Sequence, residues 1–250
     1  MKSYYDLAAS LYRKLRIKYK RLIGYEPAVE IALQSRLLYF GNDGYGGWAI
    51  PYGLLTKESV IVDIGLGEDI SFSEAIILRY GCVAHGFDPT PKSIAYVQKR
   101  NPLGFHLHKF GVAGSTRKSS FYLPRNSNDV SASITKVPSV GNEKIDVDLI
   151  NLDDLFKIID KSLVDLLKID IEGAEYELLD SESFANNAAR IGILCIEFHH
   201  RWPEFGPSAT LNSISRLESL GFKCVWRDTE SNEEFTFLNT RSIFQTLKFN

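Results

Sequence analysis

From residue 59 onward the chain repeats one pattern: a short unbroken apolar run, a stop at glycine or a carboxylate, then a segment of helical period. The runs are Ser59 to Ile64, Cys82 to Phe87, Phe105 to Val112, 144–150, 164–170 and 191–198, with helices expected over 72–80, 91–100, 152–160, 174–180 and 208–219. Apolar runs without polar alternation are what strands buried on both faces require. The pattern therefore demands an α/β fold, a mostly parallel sheet between helical layers. Two closing runs, 222–227 and 234–239, have no helix between them and predict an antiparallel edge, and 119–123 suggests a further hairpin. Residues 125–142, rich in Ser, Asn and Asp, read as a loop whose end, Val137 to Asn142, is a candidate substrate lid.

The first 40 residues differ. Leu7, Leu11, Leu15 and Leu22 follow helical spacing through a segment whose first 25 residues hold seven cations against Asp6 alone. Pro27 and the glycines after Phe40 bracket a second expected helix, Glu30 to Phe40, and Gly44 to Gly53 reads as a shaped aromatic loop. The expected organisation is a helical extension over 1–40 and one domain over 41–250. The whole chain carries a net charge of −2, so the part beyond the basic segment is acidic and would repel nucleic acid. Only residues 1–25 suit an anionic surface, and two readings of them stand: a helix that docks its leucines on the domain and solvates its charges, or one that makes peripheral contact with anionic lipid. No apolar stretch reaches the roughly 18–20 residues of a membrane span, and no signal peptide is visible at Met1. Cys82, Cys195 and Cys224 match no metal-ligand spacing and sit in apolar runs, as reduced thiols of a cytoplasmic protein would.

In an open α/β sheet, ligands bind beyond the carboxyl ends of the strands. Here those ends read Asp63-Ile64-Gly65-Leu66-Gly67-Glu68-Asp69, Phe87-Asp88-Pro89, Ile169-Asp170-Ile171-Glu172-Gly173-Ala174-Glu175 and Ile196-Glu197-Phe198-His199. Carboxylates dominate all four. The glycine turn lacks the third glycine of a dinucleotide fingerprint, and Glu68 and Asp69 would repel a pyrophosphate, which disfavours NAD. S-adenosylmethionine has no phosphate, and its sulfonium and ammonium can meet carboxylates. Asp88 lies roughly twenty residues past Gly67, the spacing of an acid that grips ribose hydroxyls. On that reading Asp88→Ala weakens nucleoside binding and leaves stability untouched.

Val60 to Gly67, Gly86-Phe87-Asp88-Pro89-Thr90-Pro91 and Asp165-Leu166-Leu167-Lys168-Ile169-Asp170-Ile171-Glu172-Gly173-Ala174-Glu175 resemble the FkbM family of S-adenosylmethionine-dependent methyltransferases. Asp43 to Trp48 looks like the Gly-Gly-Trp element of methyltransferase-like relatives. The resemblance covers roughly residues 40–240. It implies a class I, Rossmann-like methyltransferase fold and methyl transfer, usually to oxygen, on sugars or other small metabolites. It also implies that Asp63, Gly65 and Gly67 hold the methionine part of the cofactor, Asp88 the ribose, and Pro89 the adenine. Tyr45 and Trp48 are then candidates to close over the sulfonium. Asp69 stands where the turn ordinarily has a third glycine, which asks for different backbone angles or a direct cofactor contact.

A hydroxyl acceptor needs a general base. Asp170, Glu172, Glu175, Glu197, His199 and His200 are candidates, with His199 preferred because imidazole titrates near neutrality. Asp170, Glu197 and His199 are alternatively a ligand set for a divalent cation, a less favoured reading. His106 and His108 share one strand face and read as packed side chains. The expected activity is O-methylation of a carbohydrate, glycoconjugate or small-metabolite hydroxyl. Its rival is a silent scaffold of the same fold that binds a partner or membrane through the basic helix.

Overall fold

A computed structural model describes residues 4–42, 45–124 and 140–242. Helix α1 (Tyr4–Leu22) precedes a hairpin, β1 (Leu37–Asn42) and β2 (Tyr45–Pro51). Then follow β3 (Val60–Ile64), α2 (Ser71–Tyr80), β4 (Val83–Phe87), α3 (Pro91–Arg100), β5 (Phe105–His108), β6 (Gly111–Val112), β7 (Arg117–Pro124) and β8 (Val140–Ile150). The rest is α4 (Leu152–Ile159), β9 (Val164–Ile169), α5 (Glu175–Asp180), α6 (Glu182–Asn187), β10 (Ile191–Glu197), α7 (Gly206–Ser219), β11 (Phe222–Arg227) and β12 (Glu234–Asn239). Seven strands form the main sheet in the order β11-β12-β10-β9-β3-β4-β5, parallel except for β12, which pairs antiparallel with both neighbours.

The unbroken apolar runs have the cause inferred from them. Val62, Ile64, Leu167, Ile169, Leu194 and Ile196 face a core shared with α4, α6 and α7, while Ile61, Leu166, Ile193 and Cys195 face a second core with the β1–β2 hairpin and α2. Chain order reverses direction at β3, with β4 and β5 on one side and β9 and β10 on the other, so the crevice for a ligand lies at the β3–β9 boundary. The cysteines are buried and unpaired. No helix among the described residues is long and apolar enough to cross a membrane.

Three expectations fail. The helix expected over 30–40 is absent: Ala32 and Leu33 both donate their N–H groups to Cys224 O, and Val29 enters the main core. Bonds to edge strand β11 thus replace those a helix would make to itself. Within the glycine-rich segment read as a loop over 44–53, Tyr45–Pro51 is a strand. Trp48 and Ile50 alternate inward and are fully buried, and a side chain on Gly47 would run into the Tyr39 ring. The run 105–112 divides in two. A Cβ on Gly111 would lie 2.5 Å from Leu149, and there the chain leaves the main sheet for a three-stranded sheet, β6-β8-β7. The strand read at 144–150 therefore belongs to this second sheet. The loop and lid read over 125–142 fall outside the described residues as far as 139; β8 starts at Val140.

One buried carboxylate fastens the amino-terminal segment. Glu26 accepts hydrogen bonds from His200 Nε2 (2.7 Å), Arg201 Nε (3.0 Å) and Asn232 Nδ2 (3.2 Å). Burial opposes its charge, yet these bonds and the guanidinium outweigh burial and pull its pKa from 4.5 down to about 2. A depressed carboxyl stabilises the fold above its unfolded pKa and stops doing so as the pH falls from 4.5 through 2. Glu26→Ala is expected to cost about 3–5 kcal/mol at pH 7, the range for breaking a buried pair. Urea unfolding at pH 7 and pH 3 should show the gap from the unmodified chain narrowing at the lower pH; a gap independent of pH would refute the assignment.

Candidate active site

The turn after β3 is fixed by backbone contact. Gly65 has φ +80°, donates its N–H to Phe87 O (3.0 Å), and leaves no room for a Cβ, which would lie 1.7 Å from Asp170 O. Asp88, at the end of β4, holds the rest of the turn. Its Oδ2 accepts from Leu66 N (2.9 Å) and Gly67 N (3.2 Å), and its Oδ1 from Thr90 N (2.8 Å) and Thr90 Oγ1 (2.6 Å). Four protein donors fill the acceptor sites of a carboxylate. The acid expected to grip ribose is therefore also the brace of the glycine turn. Asp69 needs no left-handed backbone. Its Oδ1 accepts from Ser71 N (2.8 Å) at the start of α2, and its Oδ2 accepts from Asn42 Nδ2 (3.1 Å), tying hairpin to turn.

Beneath the turn lies a buried charge that the sequence reading did not single out. Lys168 of β9 stands beside Asp63 of β3 in register, with Nζ 3.1 Å from Asp63 Oδ1, 3.9 Å from Asp170 Oδ2, and 5.0 Å from the centre of the Trp48 ring. Burial disfavours its charge, but Asp63 and Asp170 raise its pKa above the ordinary lysine value. Asp63 also accepts from Ser73 Oγ (2.7 Å) and is 1% exposed. Asp63 and Trp48 are thus sealed under the sheet rather than open to a ligand; Trp48 packs edge-on against Phe72. The Tyr45 backbone opens β2 opposite Asn42.

His199 requires a correction. Its backbone N–H and Nδ1 both meet Glu175 Oε1 (2.9 and 3.0 Å), while Nε2 lies 3.4 Å from Glu172 Oε2 and 4.0 Å from Asp170 Oδ1. Burial works against protonation, yet Glu175, Glu172 and Asp170 together hold its pKa well above the usual imidazole value. Its imidazole is thereby biased toward the protonated form, and it does not line the pocket. Glu175 is itself completely buried and occupied with His199 and the Gly173 N–H. His200 is committed to Glu26.

The pocket at the strand ends has two walls. Phe87, Pro89, Val112 and Phe121 supply an apolar one, and Asp69, Asp88, Asp170, Glu172, Glu197 and Glu234 an acidic one, with Lys168 the one cation among the described lining residues. Glu234 was not anticipated. It faces Glu197 across the antiparallel β10–β12 pair and accepts from Ser231 Oγ. Burial, aided by Asp228 and Glu233, raises its pKa to about 7; burial, Asp170 and Glu234 raise that of Glu197 as well. Such a carboxylate is a far better proton acceptor than an exposed one. Among the described residues no group of three or more His, Cys, Asp or Glu is arranged to hold a metal ion. His106 and His108 pack with His85, whose Nδ1 lies 3.1 Å from His108 Nε2.

The family described as the methyltransferase FkbM domain matches residues 63–224, from β3 into β11. The chain belongs to this methyltransferase family, and the main sheet has the class I, Rossmann-like arrangement. The probable methyltransferase-like protein 24 of Homo sapiens is 26% identical over 168 residues, 67% of this chain and 40% of that protein. The Rattus norvegicus counterpart is 26% identical over 176 residues, 70% of this chain and 42% of its own. The chain thus spans about two-fifths of the length of these relatives. Among solved structures, the fibrillarin pre-rRNA processing protein of Methanococcus jannaschii aligns with a TM-score of 0.44 at 15% identity, covering 73% of this chain and 67% of that one. Aeropyrum pernix fibrillarin, solved with natively bound S-adenosyl-L-methionine, aligns with a TM-score of 0.43 at 9% identity, covering 86% and 85%.

The bracing role of Asp88 revises the expectation for its removal. Asp88→Ala strips three backbone N–H groups, those of Leu66, Gly67 and Thr90, of their acceptor and should lower stability by at least about 3 kcal/mol even without ligand. Chemical unfolding of the free protein measures this; an unshifted midpoint would return Asp88 to a purely ligand-facing role.

Proposed function

We propose that the protein is an S-adenosylmethionine-dependent methyltransferase that transfers methyl to a hydroxyl of an uncharged acceptor, such as a carbohydrate, glycoconjugate or other small metabolite. The observation that carries this reading is the acidic wall of the pocket at the β3–β9 switch point. That wall favours a cationic cofactor free of phosphate and disfavours nucleic acid or phosphorylated acceptors. Bound there, the cofactor supplies an electrophilic methyl group. The chain's own residues would do the rest. Pro89, Phe87 and Val112 offer the apolar wall an adenine needs. Gly65, Gly67 and Asp88 shape the turn against which the nucleoside rests, and Asp69 holds the hairpin beside it. Asp170 and Glu172, which line the pocket with His199 Nε2 behind them at 4.0 and 3.4 Å, suit the ammonium of the methionine part. Glu197 and Glu234 form a protonatable pair, one of which takes the acceptor proton as the new bond forms. In this reading 41–250 is the catalytic unit, together with β1, which pairs across that boundary, and three buried thiols suit a reducing cytoplasm.

Parallel calorimetry with S-adenosylhomocysteine and NAD should show binding of the first alone; the reverse would overturn the cofactor assignment. With a sugar acceptor, turnover should rise with pH through a midpoint near 7, because the pair acts deprotonated. Glu197→Gln and Glu234→Gln should each lower kcat by about 10²–10⁴ with cofactor affinity retained. Full turnover in both variants would remove the pair from catalysis, and stoichiometric binding without turnover on any acceptor would favour the silent scaffold.

A further inference from the structure

Helix α1 is inside out. A helix that docks on a domain normally buries its apolar stripe and exposes its charges. Here the docked side is polar: Arg13 Nε bonds Glu230 Oε2 (2.6 Å), Ser10 bonds the same carboxylate, and Arg21 Nη2 reaches Val29 O and Glu30 (both 2.9 Å). Ile17 is the only hydrophobe of α1 that is buried. The opposite side carries Leu7, Leu11, Leu15, Leu22, Tyr4, Tyr12 and Tyr19 in one stripe, and its leucines are 58–78% exposed. A contiguous apolar stripe of this kind marks an interaction surface, unlike scattered exposed leucines.

What the stripe fits is set by its flanks. Arg16 lies at one border and Lys18 near the other, between Leu7 and Leu11 around the helix, and neither is paired with a carboxylate among the described residues, whereas Arg13, Lys14, Lys20 and Arg21 all are. Leucines at the centre, tyrosines along the stripe and cations at its borders match, layer by layer, the acyl boundary, headgroup level and surface charge of an anionic bilayer. The anchorage also has a direction. Glu230 lies in the turn between β11 and β12, four residues before Glu234 of the pocket wall, at the end of the sheet where the pocket opens.

We propose that α1 seats its leucine–tyrosine stripe in the interface of an anionic lipid bilayer, holding the pocket end of the sheet at the membrane surface. Methyl transfer is not assumed, so this stands or falls separately from the proposed reaction. The test is flotation of the full chain with vesicles of phosphatidylcholine alone and of phosphatidylcholine with phosphatidylserine. The chain should float with the second, less so as salt is raised. Leu11→Asp with Leu15→Asp should weaken binding about tenfold or more, and Arg16→Gln with Lys18→Gln should abolish the preference for phosphatidylserine. Leu78→Asp, at an exposed leucine of α2, should change nothing. Circular dichroism and the urea unfolding midpoint should be the same in all variants, showing that each is folded. Failure of the unmodified chain to float, or flotation unaffected by the α1 substitutions, overturns the proposal. So does a concentration-dependent dimer, seen by light scattering, that the Leu11 and Leu15 substitutions dissolve without any change in vesicle binding; the stripe would then serve a second copy of the chain.

Discussion

A lysine ammonium in the middle of a parallel sheet persists only beside negative charge, and Lys168 has that in Asp63, its register partner on β3. The pair fixes more than two strands. Lys168 also donates to Gly65 O (3.3 Å), placing the ammonium directly under the turn where chain order reverses, and that ammonium lies over the ring of Trp48 from the hairpin. Sheet centre, glycine turn and hairpin therefore meet on one charge. Replacing either partner alone would leave the other buried and uncompensated, the costly way to disturb such a pair.

The remaining acids divide by whether the protein has given them a cation or a full set of donors. Asp63 has Lys168, Glu175 has His199, Glu26 has Arg201 and His200, and Asp88 has its four donors. These are closed accounts of charge, and their work is to hold loops. Asp170 and Glu172 meet His199 only at 3.4–4.0 Å, while Glu197 and Glu234 face each other without a cation between their strands. Asp170, Glu172, Glu197 and Glu234 all line the pocket beside the braced Asp88, and so many carboxylates at one opening favour positive or neutral ligands over anions.

Much of this was legible in the sequence, for definite reasons. Strands such as Val60–Ile64 and Val164–Ile169 were visible because burial on both faces leaves an unbroken apolar signature. Gly65 and Asp88 were found because strand ends are where such a sheet places ligands. Lys168 could have been found, since a lysine inside an apolar strand needs a partner. Glu234 could not: only the return of β12 alongside β10 brings it opposite Glu197, a long-range pairing with no local signal. The environment of His199 was hidden for the same reason, because Glu175 gives no sign in the sequence that the fold sets it against the imidazole.

The network around Glu26 joins the two ends of the problem. Its carboxylate binds His200 and Arg201, the residues that follow His199, and Lys20 of α1 lies 3.7 Å away. Arg201 continues to Glu233, next to Glu234, and to Ser231 O in the turn that anchors α1 through Glu230. The loop that carries His199, the turn that leads to the acidic pair and the end of the surface helix thus share one partly buried set of bonds. A displacement of α1 cannot be absorbed by solvent alone. It would have to rearrange bonds to Glu26, whose desolvated carboxylate tolerates few alternatives. Whatever holds α1 in place therefore also holds the back wall of the pocket.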